Sequence, residues 1–211
     1  MKLSLLGLLL FSQLSMAESP IHFAEDVPLT LKKFVIISLN TMSQISGKGS
    51  TPLHDLIFQG PVDGRVYRDW FFKRVKKIAM SPSCNFTARI DSEGEPGVIY
   101  ISKCVNLNPD RNQTAYWLSI LFHEARHLEP HNKYWHHSLC LDNSSMVMSC
   151  DQSPMGPFGL EKILFGNLVK YCSNCSQDFM TQAQAVLEDE QVWQKIDDQS
   201  TQAIQKDLRL K

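Results

Sequence analysis

The segment from Tyr116 to Leu128 is apolar almost all the way round a helix, yet it carries His123, Glu124 and His127 in its middle. No other feature restricts the fold of this chain as much. Tyr116, Trp117, Leu118, Ile120, Leu121, Phe122, Ala125 and Leu128 leave no solvated face, so this helix belongs inside a core with other elements around it. Two imidazoles and a carboxyl inside a core are costly unless they are paired or ligated. Positions four apart on a helix differ by about 40° and about 6 Å of rise, so both imidazoles leave the same face. That spacing suits two ligands of one zinc ion, with Glu124 beside them as base towards a water that the metal activates. A metal removes the cost of burial.

A catalytic zinc takes three protein ligands. Five of the chain's seven histidines fall between His123 and His137, so candidates for the third are close by. His131 lies about 12 Å beyond His123 on a continued helix, and Pro130 leaves it little chain in which to turn back. His136 and His137 have enough chain to return. His137 is favoured because it precedes Cys140 by three residues, where a disulfide would anchor it. Glu161, at the head of the apolar run Leu160 to Tyr171, is the rival. Asp151 has two readings: it orients a ligand histidine, as carboxylates do around metals, or it caps the loop after Cys150. Arg126 and Glu129 are expected at the surface or behind the ligands, without chemistry of their own.

Around this centre the chain reads as one α+β domain, mostly helical, spanning residues 18–211. Residues 1–17 form an expected signal peptide: Lys2, an apolar run from Leu3 to Phe11, and Ser15-Met16-Ala17 as a small-x-small cleavage site. The run is too short to span a bilayer, so an exported chain without a membrane anchor is expected. With 211 residues and a formal net charge of −1, nothing marks a nucleic-acid or anionic-membrane surface. Oligomeric state is left open. Six cysteines in an exported chain are expected to form three disulfides, with short loops favouring Cys84–Cys104, Cys140–Cys150 and Cys172–Cys175. The last pair follows a helix-like run, which suits a helix-end staple better than a redox site.

The expected elements follow from pattern and punctuation. Glu18 to Pro28 is a polar, loose lead. Helices are expected over Thr30–Ser46 and Val66–Met80, with a short run at Leu53–Phe58 between them. The second helix carries a basic side of Arg68, Lys73, Arg74, Lys76 and Lys77, read as a solvated face. Phe86–Ile90 and Val98–Ser102 form a β-hairpin tied by Cys84 and Cys104, directly before the histidine helix, for which Thr114 is a candidate N-cap. The tail from Gln177 to Lys211 reads as one helix, frayed from about residue 200.

A strand pair leading into a buried H-E-x-x-H helix resembles the zincin-type metallopeptidases over Val98 to His137. The run His123-Glu124-Ala125-Arg126-His127, with Cys150-Asp151 and Gly156-Pro157-Phe158-Gly159, is also similar to a set of exported bacterial proteins. Pro130 and Lys133 stand where a metzincin would have glycine and histidine, which excludes that subgroup. The resemblance implies a secreted zinc-dependent hydrolase, a metallopeptidase acting on a peptide or protein with Glu124 as general base. It also implies that Val98–Ser102 is the edge strand that receives an extended substrate. Two other readings remain: an exported zinc-binding or interaction protein without turnover, and an amidase acting on cell-wall material.

Overall fold

The computed structural model describes residues 21–90, 95–107, 114–129, 136–141 and 146–209. The expected signal peptide, His131 and the tip of the hairpin lie outside them. The architecture is α+β, with most residues in helices and a small sheet before the histidine helix, as the sequence leads one to expect.

The lead is not loose from residue 21 onward. Ile21 and Val27 are buried, and β1 (His22–Phe23) pairs in parallel with a later strand. Helix α1 (Leu29–Ser43) buries Leu31, Val35, Leu39 and Met42, a stripe at helical spacing. Helix α2 (Pro52–Phe58) follows, with Pro52 in the first turn, where its missing N–H costs nothing. Helix α3 (Gly64–Arg74) starts at Asp63, whose carboxylate caps the Arg65 N–H.

The helix expected over Val66–Met80 ends at Arg74. Val75 is extended, with φ −100° and ψ 123°, and Lys77–Ser81 form strand β2. Phe71, Val75 and Ile78 fit a helical stripe as well as a strand over so short a stretch, so pattern alone does not separate them. Pairing does: β2 has a parallel neighbour on each side, β1 and β4 (Val98–Ser102). The basic run is thereby dispersed. Arg74 lies over the Trp70 ring at 3.9 Å and pairs with Glu129, while Lys77 pairs with Glu95.

Strand β3 (Ala88–Ile90) pairs antiparallel with β4, Ala88 opposite Ile101, completing the order β1-β2-β4-β3. The hairpin is the one expected, and the Cys84–Cys104 disulfide closes its open end. The edge strand is different. β4 has partners on both sides, so Val98–Ser102 has no free edge; β3 is the edge on the side of the histidine helix.

That helix, α4 (Thr114–His127), buries twelve of its fourteen residues. It packs against α1, α3, β3 and two later helices, α5 (Pro157–Tyr171) and α6 (Gln177–Glu188). Phe122 sits in an aromatic cluster with Phe58, Tyr67, Phe71 and Trp70, the last stacked at 5.4 Å. Strands β5 (Ser138–Leu141) and β6 (Met146–Cys150) form a separate antiparallel pair between α4 and α5 in the chain. The Cys172–Cys175 disulfide directly follows α5, as expected of a helix-end staple.

The tail is not one helix and does not fray from residue 200. It forms α6, the short α7 (Glu190–Trp193) and α8 (Asp198–Arg209). Ile204 and Asp207 of α8 are buried, and Asp207 accepts a hydrogen bond from the Leu53 N–H. The polar composition that suggests fraying hides a narrow stripe that α2 and α5 cover. The break before α8 comes from Asp151, whose N–H donates to Lys195 O and whose carbonyl accepts from Asp197 N–H. No helix among the described residues is long and apolar enough to cross a membrane.

Candidate metal centre

His123 and His127 leave one face of α4, as their spacing dictates, and face His137, which immediately precedes β5. Their Nε2 atoms form a small triangle: 3.3 Å between His123 and His127, 3.2 Å between His123 and His137, and 3.1 Å between His127 and His137. Among the described residues, these three lie close enough together to hold one metal ion.

The hairpin register explains why His137 arrives there. Ser138 pairs with Cys150, so the residues one step outward, His137 and Asp151, stand opposite each other. Asp151 Oδ1 lies 3.0 Å from His137 Nδ1. Its other oxygen, Oδ2, accepts from the N–H groups of Phe158 and Gly159 at the start of α5, where the helix end favours a negative charge. Gly156 makes this approach possible: a Cβ there would lie 2.4 Å from Asp151 Oδ2. Near the end of β6, Ser149 has φ 62°, and the register shifts between Ser138 and Cys140, the marks of a bulge that re-aims the strand. Cys150 is disulfide-bonded. Its expected partner, Cys140, has a side chain outside the described set.

Glu161 performs a different task from the one weighed for it. From the second turn of α5 its Oε1 sits 2.7 Å from His123 Nδ1. It therefore stands behind a histidine of the triangle. With Glu161 and Asp151 ionised, each carboxylate accepts, so the Nδ1 atoms of His123 and His137 carry the protons and their Nε2 atoms present bare lone pairs. Two bare lone pairs at 3.2 Å repel unless a cation lies between them. Tetrahedral zinc with Zn–N bonds of 2.0–2.1 Å would separate its nitrogens by about 3.3 Å. The triangle fits that size.

The remaining candidates sort by position. His136 is exposed and outside the triangle. Arg126 is buried rather than at the surface. Its Nε donates to Met155 O at 2.9 Å and its guanidinium meets Glu129, which also holds Arg74. That clamp ties the end of α4 to the loop carrying Gly156. Sequence reasoning missed this use of Arg126, although an arginine inside an otherwise apolar helix is itself a signal that it has buried partners.

Burial governs the electrostatics. It pushes the His123 imidazole down to about 3, with the neighbouring His137 adding to the effect, so this ring is neutral at ordinary pH. Burial raises Glu161 to about 7, opposed by Ser119, Lys162 and Lys195. Glu124 is raised to about 8, first by burial and then by the charge of Glu161, while the Ile90 N–H of β3 works against both.

Glu124, His123, His127 and His137 all border a cavity of about 780 Å³. β3, Phe158 and Lys195 also line it. Phe158 stacks on the His137 ring at 4.6 Å and meets His123 edge-on at 4.4 Å. The triangle is thus open to a space large enough for a ligand. No protein-family model matches the chain, and no curated protein or solved structure matches it.

Proposed function

We propose that this protein is an exported zinc-dependent hydrolase of the zincin type, acting on peptide bonds. The observation that carries the reading is a buried carboxyl, Glu124, bordering the same cavity as three imidazole Nε2 atoms no more than 3.3 Å apart. His123, His127 and His137 would hold a zinc ion, which would supply the Lewis acidity that activates water near neutral pH and polarises a carbonyl. Glu124 accepts the proton of the attacking water and returns it to the leaving amine as the C–N bond breaks. Glu161 and Asp151 hold the rings of His123 and His137 in one tautomer throughout.

An extended peptide laid along the free edge of β3 would place its backbone in the cavity beside Glu124, a mode that reads main chain more than side chains. Export is supported by the disulfides Cys84–Cys104 and Cys172–Cys175, since such bonds persist in oxidising compartments. A purely structural zinc site would be closed by a fourth protein ligand; here the triangle faces a cavity. An amidase of cell-wall crosslinks would use the same chemistry and differ only in substrate.

The test is Glu124→Gln beside the wild type, with zinc content and peptide hydrolysis measured on both. Zinc should stay at about one per chain in each. Turnover should fall roughly 10²- to 10⁴-fold in the variant. Equal turnover in both proteins would remove Glu124 from the mechanism, and a wild type that takes up no zinc would refute the reading.

A further inference from the structure

Lys195 has no part in holding the histidines, yet the fold places it with care. Its carbonyl accepts the N–H of Asp151, the residue that orients His137, so its backbone is joined to the metal centre by one hydrogen bond of 2.9 Å. Its ammonium lies over the Phe158 ring, 4.8 Å from the centroid. That same ring touches both His123 and His137. The side chain lines the cavity that Glu124 borders, and no carboxylate among the described residues comes within ion-pairing distance of it. A cation on a ring, half-buried beside a metal site and in no ion pair among the described residues, has room for a further partner. A ring face attracts it but accepts none of its N–H groups as a carboxylate would. Lys162, the neighbouring buried lysine, makes a contrast: it is fully used by three backbone carbonyls, those of Val186, Leu187 and Asp189.

We propose that Lys195 is a substrate-binding residue that recognises a carboxylate next to the bond being cleaved. The inference rests on reading the three histidines as the metal site and the cavity as the substrate cleft. The carboxylate has two sources in a peptide, the chain terminus and an acidic side chain, and Lys195 offers both the same charge-assisted hydrogen bond. Its ammonium lies over the Phe158 ring, so the bound carboxylate lies beside that ring in the cleft.

Binding of zinc-directed hydroxamates separates the possibilities without relying on turnover. Three short peptidyl hydroxamates of matched length serve as probes on the zinc-loaded protein: one with a free C-terminal carboxylate, one amidated with a glutamate side chain, and one amidated with glutamine. Calorimetry on wild type, Lys195→Gln and Lys195→Arg gives nine affinities. One acidic probe should bind wild type roughly ten-fold or more tightly than the neutral probe. Lys195→Gln should erase that preference and Lys195→Arg restore most of it, with the neutral probe unchanged across all three. Whichever acidic probe gains identifies the source of the carboxylate. If the neutral probe binds wild type as well as both acidic ones, or if the preference survives in Lys195→Gln, the role of Lys195 is overturned while the metal site stands. If no hydroxamate binds zinc-loaded wild type, the open metal site falls and the role of Lys195 falls with it.

Discussion

Asp151 is the residue on which most of the centre depends. Its N–H and C=O bind the segment around Ile196, one carboxylate oxygen orients His137, and the other caps the start of α5. Asp151→Asn keeps the shape but loses the charge, and it presents an amide where two N–H groups and an imidazole N–H all need acceptors. Zinc affinity should fall about 10- to 100-fold, read by competition with a chromophoric chelator. Unchanged affinity would mean that Asp151 only caps the helix. Glu161→Gln, acting on His123, should weaken zinc by the same order, and its loss should be distinct from the complete loss of binding expected of His123→Ala. An outcome in which Glu161→Gln abolishes binding altogether would return Glu161 to the rank of ligand.

At the scale of elements, α5 and α6 are locked by a buried charge. Lys162 is inaccessible to solvent and donates to Val186 O, Leu187 O and Asp189 O at 2.8–3.0 Å, satisfying carbonyls at the C-terminal end of α6. Burial lowers its pKa to about 8, so the ammonium persists at neutral pH. Lys162→Met fills the same space and leaves those carbonyls without a donor. We expect a loss of about 2–3 kcal/mol in urea unfolding, with zinc content unchanged. A loss below 0.5 kcal/mol, the range of ordinary surface changes, would show the carbonyls resolvated by water. The β5–β6 pair is the other element whose register matters. A slip of one residue would turn His137 away from Asp151 and from α4 together.

For the whole molecule, acid sensitivity has a source remote from the metal. His54 is buried in α2 with Nε2 2.8 Å from the Tyr67 hydroxyl, and burial lowers its pKa from 6.5 to about 4. Between those two values the unfolded chain binds a proton that the folded protein does not. Stability therefore falls as pH drops through 6.5 towards 4 and levels off below, by about 3 kcal/mol in total. The comparison is wild type against His54→Gln, both stripped of metal, by denaturant unfolding across that window. The variant should have the shallower pH slope; parallel slopes would show that His54 is not the group responsible.

Much of this protein is legible along the chain because the signals are local. Four-residue spacing places His123 and His127 on one helix face, and an apolar surface all round α4 requires its burial. The hairpin from Ala88 to Ser102 is written in alternation and turn residues, and the disulfides Cys84–Cys104 and Cys172–Cys175 span short loops. Reach and anchoring favour His137 as third partner, and it does join the triangle. What lay beyond the sequence depends on who pairs with whom. Lys77–Ser81 becomes a strand because β1 and β4 flank it, β3 rather than β4 is the edge because β2 occupies the other side, and α8 is ordered because α2 and α5 cover its narrow apolar stripe. Glu161 stands behind His123 because α5 packs on α4 at that height, a distance no sequence spacing encodes. Local periodicity determines which faces are apolar; only tertiary packing decides which faces meet.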